Sequence, residues 1–89
     1  MTRLDVRGST GPEPVIRIRR ALLGLAGGEI LEVTADDKAL IADLPAFCTN
    51  SGHRLIMAEA LEDRMIFAIA ARESVAAPDG GGVAMLRAG

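Results

Sequence analysis

The chain has no tryptophan, no tyrosine, one cysteine and one histidine. Each absence closes off a class of function. Phe47 and Phe67 are the whole aromatic complement, so there is no platform on which nucleic-acid bases could stack. A lone Cys48 excludes an internal disulfide framework and a multi-cysteine zinc site, and a lone His53 excludes a cluster of histidine ligands. No metal and no cofactor are expected. A dominant charge is missing too. Ten basic residues face twelve acidic ones, a formal net charge of −2, which argues against a protein that grips nucleic acid by charge alone. No stretch approaches the roughly 20 apolar residues of a membrane span. Met1 to Arg7 carries Arg3, Asp5 and Arg7 and has no signal-peptide core. The expectation is a soluble, cytoplasmic protein without a membrane partner.

What is present is a globular composition: 49% hydrophobic and 25% charged residues over 89 positions, enough for one small domain with one core. Leu4 and Val6 alternate with Arg3, Asp5 and Arg7 as a short strand with one buried face. Gly8-Ser9-Thr10-Gly11 breaks that pattern, and Pro12-Glu13-Pro14 suits the first turn of a helix, where N–H groups lack intrahelical acceptors anyway. The cap is either Thr10, with Glu13 at capping-box spacing, or Gly11. Val15, Ile18, Leu22 and Leu25 recur at steps of three and four as one buried helical face, and Gly27-Gly28 is expected to stop it.

Glu29 to Ala35 reads as a second strand. Asp36 and Asp37 suit the start of a second helix with Leu40, Ile41, Leu44, Phe47 and Cys48 as its apolar positions. Pro45 predicts a kink there, or a restart capped by Asp43, and Asn50-Ser51-Gly52 closes the helix. His53 to Ala60 and Arg64 to Arg72 follow as an antiparallel hairpin turning at Leu61-Glu62-Asp63. The order β-α-β-α-β-β predicts an α+β fold: a two-layer sandwich with a four-stranded mixed sheet and both helices on one face. Residues 1–73 form the domain in this reading, and residues 74–89, with Pro78 and Gly80-Gly81-Gly82, a flexible tail. Met65 to Ala70 and Leu55 to Ala58 are apolar on both sides, so part of the uncovered sheet face calls for a partner, a second copy or the tail.

The segment Arg7-Gly8-Ser9-Thr10-Gly11-Pro12-Glu13-Pro14 resembles the TusA/SirA-like family of small sulfur carriers. So do Arg17-Ile18-Arg19-Arg20-Ala21-Leu22, Gly28-Glu29-Ile30-Leu31-Glu32-Val33, Ala35-Asp36-Asp37 and Leu44-Pro45-Ala46-Phe47-Cys48 with Gly52-His53. The ordered set runs from Leu4 to about Arg72. The resemblance implies the same β-α-β-α-β-β sandwich, and an activity in which the cysteine of a Cys-Pro-x-Pro motif accepts sulfur as a persulfide and hands it to a partner protein. A thiol at a helix N-terminus suits that role, because the free N–H groups and the macrodipole stabilise its thiolate. The matching position here is Gly11, which has no side chain to carry sulfur.

Three readings of Gly11 stand side by side: loss of sulfur transfer with the fold and partner surface kept, sulfur transfer through Cys48 instead, or alteration of position 11 from cysteine. Whether the chain is an enzyme turns on this residue. Cys48 shares a helical face with Ile41 and Leu44, and a thiol packed in apolar surroundings is inert. His53 has no nucleophile placed beside it and reads as structural or exposed. Arg17, Arg19 and Arg20 belong to a basic stretch: five arginines against Asp5 and Glu13 in the first twenty residues. They form either a solvated helix face or, as the family's protein-to-protein relay implies, a docking patch for an acidic partner. Gly8, Ser9, Thr10, Gly11 and Arg7 also suggest a weak anion site at the helix start, although Pro12 and Pro14 each remove a donor. A remaining alternative is an RNA-binding module, by analogy with the similar two-layer fold of a translation initiation factor domain.

Overall fold

The computed structural model describes residues 1–73. The expected tail, 74–89, lies outside them. The elements are β1 (Thr2–Asp5), α1 (Glu13–Leu23), β2 (Ile30–Ala35), α2 (Leu40–Ser51), β3 (Arg54–Ala60) and β4 (Met65–Ala70). They form one four-stranded sheet in the order β1-β2-β4-β3. β1 runs parallel to β2, while β4 is antiparallel to both β2 and β3, so the sheet is mixed as expected.

The period-2 rule assigns the two sheet faces. Leu31, Val33 and Ala35 of β2 stand opposite Ile69, Phe67 and Met65 of β4, and all six are buried. Ile18 and Leu22 of α1 and Leu40, Leu44 and Cys48 of α2 join them in one core. Both helices therefore cover one face. Phe67, Ile18, Leu22, Leu31, Leu40, Leu44 and Ile69 are the largest fully buried side chains. Truncating a core aromatic or leucine typically costs about 2–5 kcal/mol, a large share of what a domain this size holds in reserve.

The helix ends differ from the sequence reading. α1 stops at Leu23, with the Gly24 N–H bonded to the Ala21 carbonyl and the Leu25 N–H to the Leu22 carbonyl, ahead of Gly27-Gly28. That glycine pair instead leads into β2, where the Gly28 N–H donates to the Ala71 carbonyl at 2.8 Å and ties the strand to the chain beyond β4. The cap of α1 is Pro12, whose carbonyl accepts from Ile16 N–H at 3.2 Å; neither Thr10 nor Gly11 takes that place. α2 begins after Ala39, past Asp36 and Asp37, and runs without interruption through Pro45. The proline only removes one N–H, the one that would have met the Ile41 carbonyl, so Asp43 has no second helix to cap. Gly52 closes α2 as expected, in the left-handed conformation with φ of 83°. Ile41, counted among the buried positions of α2, is 54% exposed.

Candidate functional site

Val6 to Pro14 joins β1 to α1, and its geometry follows from its polar contacts. The Val6 N–H donates to the Thr34 carbonyl at 2.8 Å, which carries the β1–β2 pairing one residue beyond the strand. Asp5 then folds onto Arg7: its carboxylate accepts the Arg7 backbone N–H at 3.0 Å and a forked guanidinium contact at 3.1 and 2.8 Å. This charge-assisted fork lowers the Asp5 pKa to about 2. The Gly8 N–H donates to Asp36 Oδ1 at 3.0 Å, so the residue expected to cap α2 holds this loop instead. Asp37 stays local, accepting the Ala39 N–H at 3.1 Å.

Ser9 is buried, with its N–H on the Val6 carbonyl at 3.1 Å and its hydroxyl oxygen accepting from Arg17 at 3.1 Å. A second Arg17 N–H reaches the Asp5 carbonyl at 3.3 Å. These contacts engage three of the residues expected to form an anion site in the loop. Arg7 is committed to Asp5, the Gly8 N–H already meets a carboxylate, and the Ser9 hydroxyl faces a guanidinium.

Gly11 sits on the outer surface of this loop with φ of +66°, and a Cβ placed there meets nothing within 4 Å. Among the described residues, position 11 is exposed. Beyond it, Pro12 and Glu13 are exposed and Pro14 is buried against the core. Because Pro12 and Pro14 lack N–H groups, the first turn offers only the amides of Glu13 and Val15.

The three arginines of α1 part company. Arg17 is half-buried in the loop network, whereas Arg19 and Arg20 are exposed. Arg3 pairs with Glu32 at 3.1 Å and Arg7 with Asp5, so Arg19 and Arg20 are left without an ion pair among the described residues. Ile16 and Leu23 flank them, 43% and 66% exposed. Positions 16, 19, 20 and 23 follow the i, i+3, i+4, i+7 rule, so they form one outward stripe that begins beside the Gly11 turn. The sequence reading missed Ile16 and Leu23. The signal was their failure to fit the Val15-Ile18-Leu22-Leu25 spacing.

Cys48 is only 2% exposed and lies in the core, and burial pushes its thiol pKa up. It is eight residues along α2 from Leu40, so about 12 Å from the start of that helix by the helical rise. His53 accepts the Arg72 N–H at Nδ1 at 2.9 Å and lies 5.8 Å from the Phe47 ring. Burial and then the Arg72 charge lower its pKa, as suits a neutral, structural imidazole.

A family model described as Sulfurtransferase TusA matches residues 2–70. A protein of Methanocaldococcus jannaschii named as a candidate sulfur carrier is 39% identical over 64 residues, spanning 72% of this chain and 85% of that one. The crystal structure of a SirA-like protein from Desulfitobacterium hafniense superposes with a TM-score of 0.70 at 27% identity, over 82% of this chain and all of that one. Among the described residues, no helix is long and apolar enough to cross a membrane.

Proposed function

The chain belongs to the TusA sulfurtransferase family, and on that premise we propose that it is a sulfur-carrier homologue without a persulfide-forming cysteine, acting through protein contact. One observation supports the reading: the sole cysteine, Cys48, is buried in the core, whereas Gly11, which the motif resemblance sets at the carrier position, is exposed. A carrier thiol must reach the sulfur donor and the acceptor in turn, and must ionise to attack. Cys48 is shielded from both proteins, and its raised pKa disfavours the thiolate.

The loop is nonetheless built as a presentation surface. Gly11, Pro12 and Glu13 lie exposed above a base fixed by Asp36 and Arg17, and the stripe of Ile16, Arg19, Arg20 and Leu23 continues them along α1. Two apolar side chains bracketing two guanidinium groups without an ion pair among the described residues suit a protein with an acidic, partly apolar docking face, of the kind a sulfur relay would supply. The uncovered sheet face, with Ile30, Ile66, Ala68 and Met57, offers a second surface for association. The test is incubation with a cysteine desulfurase and sulfur-labelled cysteine. The protein should stay unlabelled, and label that appears on Cys48 and disappears in Cys48→Ala would overturn the reading.

A further inference from the structure

The two edges of the sheet are guarded unequally. β1 has four residues, and both of its charged side chains, Arg3 and Asp5, are held in ion pairs. β3 has seven residues and is exposed at every position except Leu55, with Ile56 47% and Met57 39% accessible. An exposed edge presents unpaired N–H and C=O groups, a template for a further strand.

The side-chain pattern of β3 specifies which strand fits. Arg54 stands opposite Ala70 and Glu59 opposite Ile66, while Leu55, Ala58 and Ala60 stand opposite the core residues Ile69, Phe67 and Met65. Arg54 and Glu59 therefore share the uncovered face. Five positions apart in a regular strand they would point to opposite faces. The irregularity between Leu55 and Met57 inserts one residue and returns them to the same side. Neither is in an ion pair among the described residues.

We propose that β3 pairs antiparallel with β3 of a second copy of this chain, placing Arg54 opposite Glu59 of the partner subunit and, across the dyad, Glu59 opposite Arg54 of the partner subunit. A two-fold axis perpendicular to a sheet requires paired residues to share a face, and the bulge meets that requirement for this register. The same register sets Leu55 against Ala58 of the partner subunit and gathers the exposed Ile56-Met57 segments at the axis. The result is one eight-stranded sheet whose uncovered faces are continuous. This contact lies at the sheet edge, apart from the uncovered sheet face and the α1 stripe, so its failure would not touch the docking reading.

Sedimentation equilibrium of the full chain across a wide concentration range should give a mass rising to twice that of one chain. Amide exchange should slow along β3 as concentration rises, and not along β1. Arg54→Glu and Glu59→Arg should each weaken the dimer about tenfold or more by placing like charges opposite one another, and the double variant should restore it. A single-chain mass throughout would overturn the proposal. So would a doubled mass with unchanged β3 exchange, which would put the contact on another surface. A double variant that keeps a native circular dichroism spectrum but stays monomeric would overturn it as well.

Discussion

Arg17 donates to the hydroxyl oxygen of Ser9 at 3.1 Å, from the second turn of α1 back into the loop that precedes it. Ser9 is the one buried polar side chain among the described residues. The arginine therefore satisfies a group that has left water, and with its second N–H it also meets the Asp5 carbonyl at 3.3 Å. These two contacts tie α1 to the loop that precedes it. Arg17→Ala should lower the unfolding free energy by about 1 kcal/mol, the usual net worth of such contacts, as read from urea denaturation. Arg17→Lys should recover only part, since an ammonium lacks the planar fork that reaches both acceptors. Arg19→Ala, at an exposed position, should change stability by less than about 0.5 kcal/mol. Equal losses at 17 and 19 would mean the fork contributes nothing.

Asp5 and Arg7 make a prediction at acid pH. Carboxyl NMR titration of Asp5 should show a midpoint at about 2, against about 3.9 for a free aspartate. A depressed folded pKa contributes stability above the unfolded pKa and loses it as pH falls through the folded value. The contribution should therefore fade from about pH 4 downward. In Arg7→Ala the midpoint should rise most of the way to the free value but not fully, because the backbone N–H at position 7 still donates to Oδ1. A midpoint unmoved by that substitution would assign the shift to some other charge.

His53 behaves in the same sense for the opposite charge type. Its folded pKa lies below the free value of 6.5 because burial and the Arg72 charge disfavour the imidazolium. The unfolded chain then binds the proton first, so stability should fall as pH drops below about 6.5. Protonation also destroys the acceptor at Nδ1 that receives the Arg72 N–H. Urea midpoints measured between pH 8 and pH 5 should decline, and His53→Gln should flatten that slope over the same range. A slope that persists in the variant would place the proton elsewhere.

Local periodicity made the interior legible. The three-and-four spacing of Ile18 and Leu22, and of Leu40, Leu44 and Cys48, is the direct imprint of a helix on a flat sheet, and these residues are buried. The order of elements and the two-layer arrangement follow from the same signals. The ends of the helices were not legible, because distant partners decide them. Asp36 looked like a helix cap from its neighbours, yet its carboxylate serves the Gly8 N–H, 28 residues away in sequence. Arg7 and Arg17 looked like free positive charge, yet both are committed to acceptors at the loop, Arg7 to the Asp5 carboxylate at the surface and Arg17 to the Ser9 hydroxyl and the Asp5 carbonyl. Ile41 fits the apolar spacing of α2 but lies in its first turn, where the side chain is open to solvent. Position 11 was readable only as an identity. That its surroundings are empty depends on the path of the backbone.

That empty space gives the sharpest test of the site. In Gly11→Cys the new Cβ would meet no atom of the described residues outside its chain neighbours within 4 Å. The cost is conformational: φ of +66° is a left-handed value that a residue with a side chain adopts at roughly 1–2 kcal/mol. The variant should fold, with a urea midpoint lowered accordingly. Its thiol should react with a disulfide reagent at once in the native protein, whereas Cys48 should react only when denaturant exposes the core. The Glu13 and Val15 amides should hold the new thiol below the free pKa of about 8.5, read from the pH dependence of alkylation. If the loop is an intact carrier site missing only its nucleophile, the variant should take up labelled sulfur from a cysteine desulfurase at position 11. An exposed, low-pKa thiol that accepts none would show that the docking surface, and not only the cysteine, has diverged from a carrier's. A thiol with an ordinary pKa would show that the first turn of α1, with Pro12 and Pro14 in it, no longer activates a nucleophile.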